Sequence, residues 1–296
     1  MWSVVCSMRP RTLLLSVSAV LTGTFLARNQ GFFSWNVVVL LCLTGCFLQI
    51  LSNLVNELGD WKKGIDKVQL TRKPLSLQNG NITEKTFVYF SVFMALLAVT
   101  AGLLLIWTAC GSFFRVDSFL FLTLGAVSVV AALFYSAGRM PYGYRGAGDL
   151  AVFLFFGPVA VAGSYYLLVH SLDGKVFYTA SAMGLLCTAV LNVNNIRDFE
   201  NDKVHGKNTL AVFLSRIKKS GTTLPAKTYQ FLLIVCAVLL SFVYALQIEA
   251  DNFLFLISVP LFIIHLFIVT TKEGPALDKA LMPLIAGIGL YTLSWL

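Results

Sequence analysis

Residues 32–66 read FFSWNVVVLLCLTGCFLQILSNLVNELGDWKKGID. An apolar run long enough to cross a bilayer passes directly into a polar segment that holds Asn56, Glu57, Asp60 and Asp66. The passage recurs at residues 176–203, VFYTASAMGLLCTAVLNVNNIRDFENDK, which hold Asn194, Asp198 and Asp202. In both, an Asn is followed four residues on by an Asp, and then by an Asp-Lys pair, Asp66-Lys67 in one and Asp202-Lys203 in the other. This is an internal repeat on the scale of half the chain. Related halves around a shared central site are common in polytopic membrane proteins.

Outward from these two stretches, apolar runs fill the chain, at approximately 12–27, 32–54, 86–107, 116–135, 147–170, 176–191, 229–246, 253–270 and 276–296. The 296 residues are 57% hydrophobic and 12% charged, about half the charge of an ordinary soluble domain. A water-soluble globule could not be covered with that supply, and little chain remains for separate domains. The spacing therefore predicts an all-α polytopic membrane protein, a single domain over 1–296, with nine transmembrane helices in two pseudo-repeated halves. The first run, behind Arg9 and Arg11, is read as an uncleaved first helix and not as a signal peptide.

The net charge of +8 is explained by topology. With the N-terminus in the cytoplasm, 19 of the 22 Lys and Arg fall on the cytoplasmic side, and only Arg28, Arg115 and Lys175 lie opposite. That asymmetry predicts an N-in, C-out orientation and removes the case for nucleic acid. Six Cys without a CxxC pair, and three mutually distant His (170, 205 and 265), offer no disulfide framework or His metal site.

Function is expected in the cytoplasmic loops, about 56–85, 136–149 and 192–228. Residues four apart share a helix face. Asn56 with Asp60, and Asn194 with Asp198 and Asp202, therefore make two oxygen-rich patches, and Glu57 can join the first. Carboxylates at membrane helix ends are costly and usually functional. Such patches suit Mg²⁺, which prefers a few carboxylates completed by substrate phosphates and water. Around them stand Lys62, Lys63, Lys67, Arg72 and Lys73, then Arg197, Lys203 and Lys207. Anionic metal ligands mixed with cations fit a substrate that itself carries several negative charges. The third loop, AGRMPYGYRGAGDL at 137–150, brings Arg139, Tyr142, Arg145 and Asp149 to the same mouth. Tyr142 and Arg145 are candidates for substrate contact, while Asp149 also suits the first turn of a helix.

These stretches resemble the UbiA superfamily of intramembrane prenyltransferases. Within it, MRPRTLLLSVSAVLTG (8–23), SNLVNELGDWKKGIDK (52–67), PYGYRGAGD (141–149) and NNIRDFENDKVHGKNTLAV (194–212) are similar to the branch that prenylates 1,4-dihydroxy-2-naphthoate in menaquinone synthesis. The resemblance implies Mg²⁺ held by Asn56, Asp60, Asp66, Asn194, Asp198 and Asp202. It also implies a polyprenyl diphosphate bound by Asn56, Lys67, Arg72, Lys73, Arg139, Arg145, Lys203 and Lys207, with Asp60, Asp198, Tyr142 and Arg145 as catalytic residues. Members often carry Asp where this chain has Glu57, which leaves Glu57 open as a direct ligand. The implied reaction joins the prenyl group to an aromatic acceptor with loss of carbon dioxide, in the bacterial inner membrane. Other acceptors, such as 4-hydroxybenzoate or homogentisate, remain alternatives. A divalent-cation transporter would instead place its acids near the bilayer midplane, in broken helices.

Overall fold

The computed structural model describes residues 6–65, 74–80, 82–138, 141–248 and 253–296. Asp66, Lys67, Arg72, Lys73 and Arg139 lie outside the described residues. Those described are helical with connecting turns and contain no strand. Nine helices among them are long and apolar enough to cross a membrane. We number these α1 (Pro10–Asn29), α2 (Trp35–Lys62), α3 (Glu84–Cys110), α4 (Val116–Phe134), α5 (Gly148–Val169), α6 (Val176–Arg197), α7 (Leu224–Gln247), α8 (Leu254–Thr271) and α9 (Gly274–Leu293).

Every predicted run is a helix, but two extend well past their apolar stretch. α2 continues beyond residue 54 to Lys62, and α6 continues beyond residue 191 to Arg197. Hydropathy ends where the side chains turn polar, yet the backbone stays helical because those polar side chains face a cavity or one another. The segment after α6 is also not an open loop. It folds into two short helices, Phe199–Val204 and Leu210–Ile217.

α6 is the most enclosed span, with 72% of its apolar window buried, whereas α4 has 6%. α6 packs against α5, α7 and α9, while α4 touches chiefly α2 and α3 and presents Phe119, Leu120 and Val127 outward. An apolar helix face of this kind needs lipid around it. The close approach of α5 to α6 depends on two glycines. A Cβ at Gly157 would stand 2.6 Å from the Ala180 carbonyl, and one at Gly184 would stand 2.6 Å from the Phe153 carbonyl. Here α5 carries Pro158 within a π-helical stretch, Phe155–Ala162. Proline supplies no N–H for the helical ladder, and the wider turn absorbs that loss.

Candidate active site

The α2 and α6 termini meet at one end of a cavity of about 1030 Å³, at the upper limit of ordinary ligand pockets. Asn56, Asp60, Arg197, Asp198, Asp202 and Lys207 line its polar mouth, together with Arg9 and Arg11 from the start of α1. The body of the cavity is apolar and runs between α2, α3, α4 and α5 as far as Leu103, Ile106 and Phe121. Leu103 and Ile106 belong to the half of α3 remote from the mouth, so the cavity spans much of the bundle.

Asp60 ends the polar face of α2 and is buried, 3% exposed. Its Oδ1 accepts the Tyr144 hydroxyl and lies 3.5 Å from Lys207 Nζ. Two ammonium groups cover the Tyr144 ring, Lys63 at 3.9 Å and Lys207 at 4.9 Å from its centroid. Tyr144 is fixed from the other side by its carbonyl, which accepts Asn208 N–H at 3.0 Å. That bond ties the α4–α5 connection to the segment after α6. Asn56 accepts the Ser136 hydroxyl at 2.7 Å. This contact is possible because Gly59 lacks a side chain, since a Cβ there would fall 2.6 Å from the Ser136 carbonyl.

On the second side, Asp198 N–H donates to Asn194 O at 2.9 Å and Asp202 N–H to Asp198 O at 2.8 Å, so the spacing of four holds across the junction. Arg197 grips Asp198 through two bonds of 3.0 and 2.8 Å and reaches Asp278 of α9 at 2.6 Å. Burial, above all, pushes the Asp202 carboxyl up to about 7, with Lys207 opposing and Asp198 and Asp60 reinforcing. Burial by itself would lower Lys207, yet Asp60 and Asp202 hold it above the ordinary lysine value. Lys207 is the cation shared by both acidic patches.

Several predicted residues lie elsewhere. Arg145 is exposed and is not among the cavity-lining residues. Lys203 is also exposed, with its ammonium 5.9 Å from the Phe199 ring centroid. Tyr142 lines the cavity, but its hydroxyl donates to the Ala131 carbonyl at 2.8 Å. The side chains that stand beside Asp60 are Tyr144 and Lys207, where Tyr142 and Arg145 were expected. Glu57 is fully buried and is not among the cavity-lining residues; its Oε1 accepts Leu77 N–H at 2.9 Å and so anchors the segment after α2. Sequence reasoning did not place Arg9, Arg11, Tyr135 and Tyr144 at this cavity. The motif PYGYRG offered two tyrosines, and only the fold decides between them.

No three acidic, His or Cys side chains among the described residues converge closely enough to cage an ion. Two separated sets of carboxylate and amide oxygens face one cavity instead. That donor pattern fits Mg²⁺ bridged by substrate phosphates, as opposed to a closed protein cage.

Among the described residues, nine apolar helices surround a cavity with an acidic and basic mouth, the architecture of a membrane-embedded protein with an internal polar site. Residues 16–287 match the UbiA prenyltransferase family, and the chain belongs to it. It is a membrane-bound prenyltransferase and a multi-pass integral membrane protein. Among its relatives, the 1,4-dihydroxy-2-naphthoate octaprenyltransferase of Haemophilus influenzae is 38% identical over 96% of this chain and 90% of its own. The enzyme of the same name from Escherichia coli is also 38% identical, over 93% of this chain and 87% of its own. The fold resembles that of a UbiA homologue from Archaeoglobus fulgidus bound to DMAPP and Mg²⁺, with a TM-score of 0.63, 17% identity, and coverage of 99% of this chain and 97% of that one. It also resembles the apo UbiA homologue from Aeropyrum pernix K1, with a TM-score of 0.69, 15% identity and coverage of 96% of each chain.

Proposed function

We propose that this enzyme transfers a polyprenyl group from polyprenyl diphosphate to 1,4-dihydroxy-2-naphthoate, with loss of carbon dioxide, in a Mg²⁺-dependent step that yields demethylmenaquinone. The observation that carries this is the cavity itself, in which both acidic patches and Lys207 stand at one end of an apolar channel. Relatives named as octaprenyltransferases of that acceptor, aligned over most of this chain, support the choice of acceptor.

Asn56, Asp60, Asn194, Asp198 and Asp202 would hold the ion, with Asp66 as a further ligand by resemblance. The ion would supply charge neutralisation for the diphosphate leaving group. Lys207, Arg9 and Arg11 then bind diphosphate oxygens at the mouth, while Tyr144 and Arg197 hold Asp60 and Asp198 in place. Of the diphosphate contacts expected from sequence, Lys67, Arg72, Lys73 and Arg139 remain part of the proposal. The apolar channel shelters the allylic cation from water, and aromatic walls such as Tyr135 and Phe121 favour it over its aqueous form. We further infer that the mouth faces the cytoplasm of a bacterial inner membrane, as the basic residues around it favour.

The test is turnover by the purified protein in detergent, supplied with polyprenyl diphosphate and, separately, dihydroxynaphthoate, 4-hydroxybenzoate or homogentisate. Product is expected from dihydroxynaphthoate alone, with release of carbon dioxide, and only when Mg²⁺ is present. Preference for another acceptor, or turnover in excess EDTA, would overturn the proposal.

A further inference from the structure

Asp149 is a buried acid for which diphosphate binding has no use. It stands in the first turn of α5, 5% exposed, on the wall of the cavity beside Tyr135 and Gly148. Its Oδ1 is buried and has no hydrogen-bond partner. Leaving such an atom unsatisfied is costly, so its burial calls for a partner. Thr188 of α6 does not relieve it, because that hydroxyl is directed to backbone carbonyls, Gly184 at 2.8 Å and Asp149 itself at 3.4 Å. The titratable groups around it are the tyrosines Tyr135, from the α4–α5 connection, and Tyr229, from α7, with the Cys187 thiol of α6 also on the cavity wall. Tyr135 lines the same cavity as Lys207, Asp60 and Asp149.

Among the described residues, the other acids of the site are engaged or lie off the cavity. Asp60 and Asp198 are paired with cations, Asp202 is flanked by Lys207, and Glu57 is not among the cavity-lining residues and takes the Leu77 amide on Oε1. Burial pushes Tyr135 up to about 12, which keeps its proton in place. Asp149 thus offers what a general base needs, a carboxyl with an unpartnered acceptor oxygen on a residue of the cavity wall.

We propose that Asp149 is the catalytic base of the transfer and takes the proton of the acceptor hydroxyl ortho to the attacked ring carbon. This rests on the dihydroxynaphthoate reading above. The O–H bond breaks toward Asp149 Oδ1, and the oxygen pair becomes a carbonyl. The ring electrons form the new bond to the prenyl carbon as its bond to diphosphate breaks. The resulting β-keto acid loses carbon dioxide. The electron pair of that bond restores the ring, and Asp149 returns its proton to the oxygen. No oxidant is needed, and the carboxylate ends as it began.

The test compares the full-length enzyme with Asp149→Asn and Asp149→Glu, with Mg²⁺, across a pH series, measuring kcat and the KM of each substrate. Asp149→Asn is expected to lower kcat by about 10²–10⁴-fold near neutrality and to leave KM for polyprenyl diphosphate within about three-fold. Its rate should climb as rising pH ionises the acceptor unaided, and Asp149→Glu should regain part of the loss. An Asn variant with kcat within about three-fold of the parent would overturn the assignment. So would a loss that neither higher pH nor Glu relieves, since that marks a structural role. If the parent prenylates a different phenol, the acceptor assignment fails by itself, and the same two variants on that phenol decide the role of Asp149.

Discussion

At the end of α2, Asp60 is held from outside its own helix, by Tyr144 of the α4–α5 connection and Lys207 of the segment after α6. At the end of α6, Asp198 is held by its own neighbour Arg197, which in turn reaches Asp278 of α9. The helices behind the two motifs differ in the same way. α6 is tied to three neighbours through a buried polar chain. Asn192 donates to Gln230 Oε1 at 2.7 Å, Gln230 Nε2 meets His265 Nε2 at 2.9 Å, and His265 Nδ1 meets the Ala280 carbonyl at 2.9 Å. A carbonyl only accepts and an amide nitrogen only donates, so His265 is neutral and carries its proton on Nδ1. α2 has its first patch arranged by connections, with Ser136 on Asn56 and Leu77 on Glu57. Near-identical motifs therefore have different supports. The second is a fixed platform, and the first is completed by three connecting segments.

The largest effects should come from the acids that the two sides share equally. Asp60→Ala and Asp198→Ala are each expected to lower kcat by at least about 10²–10³-fold, the scale of losing a main electrostatic contact to a developing anion. An asymmetry here, with one variant near parental, would mean that one patch suffices.

Lys207 is common to both sides. Lys207→Met should reduce turnover by about 10²-fold and also lower thermal stability, because Asp60 and Asp202 lose the cation that offsets their burial. Thermal unfolding in detergent alongside the kinetic assay separates the two effects.

Asp202 supplies a pH test confined to the second side. Its folded carboxyl titrates at about 7, because burial favours the neutral form, whereas an unfolded chain gives up that proton near about 4. The metal-free fold therefore has this contribution in full below about pH 4 and loses it as pH rises through about 7. Mg²⁺ needs the ionised form, so the concentration for half-maximal turnover should increase as pH falls below about 7. Asp202→Asn should flatten both trends.

A smaller catalytic effect is expected from the platform itself. His265→Leu leaves Gln230 and the Ala280 carbonyl without their partner, at a cost of about 1–3 kcal/mol of stability. Its melting temperature should fall while kcat at low temperature stays within a few-fold of the parent. A kcat loss as large as that of Asp198→Ala would mean that α6 is far less rigid than its packing indicates.

The fold was largely legible in the sequence, because lipid demands long apolar runs and the basic residues gather on one side of them. The two acidic motifs were legible for a related reason. Carboxylates next to such runs are conspicuous, and the same spacing occurs twice. What stayed hidden depends on approach in space. Tyr142 and Tyr144 differ by two positions in one short turn, and only the folded chain shows that the Tyr144 hydroxyl meets Asp60 while that of Tyr142 meets the Ala131 carbonyl. Arg145 carries the expected charge but is exposed outside the cavity lining. Hydropathy likewise ended α2 at residue 54, since it cannot register that polar side chains beyond that point face a cavity.

The central claim, that both motifs act on one diphosphate, is tested most directly by the binding of a non-reactive polyprenyl thiodiphosphate to the parent, Asp60→Ala and Asp198→Ala proteins with and without Mg²⁺. The expected result is tight, Mg²⁺-dependent binding by the parent and loss of the Mg²⁺-dependent part in each single variant. Retention of parental Mg²⁺-dependent affinity in either variant would contradict a shared site.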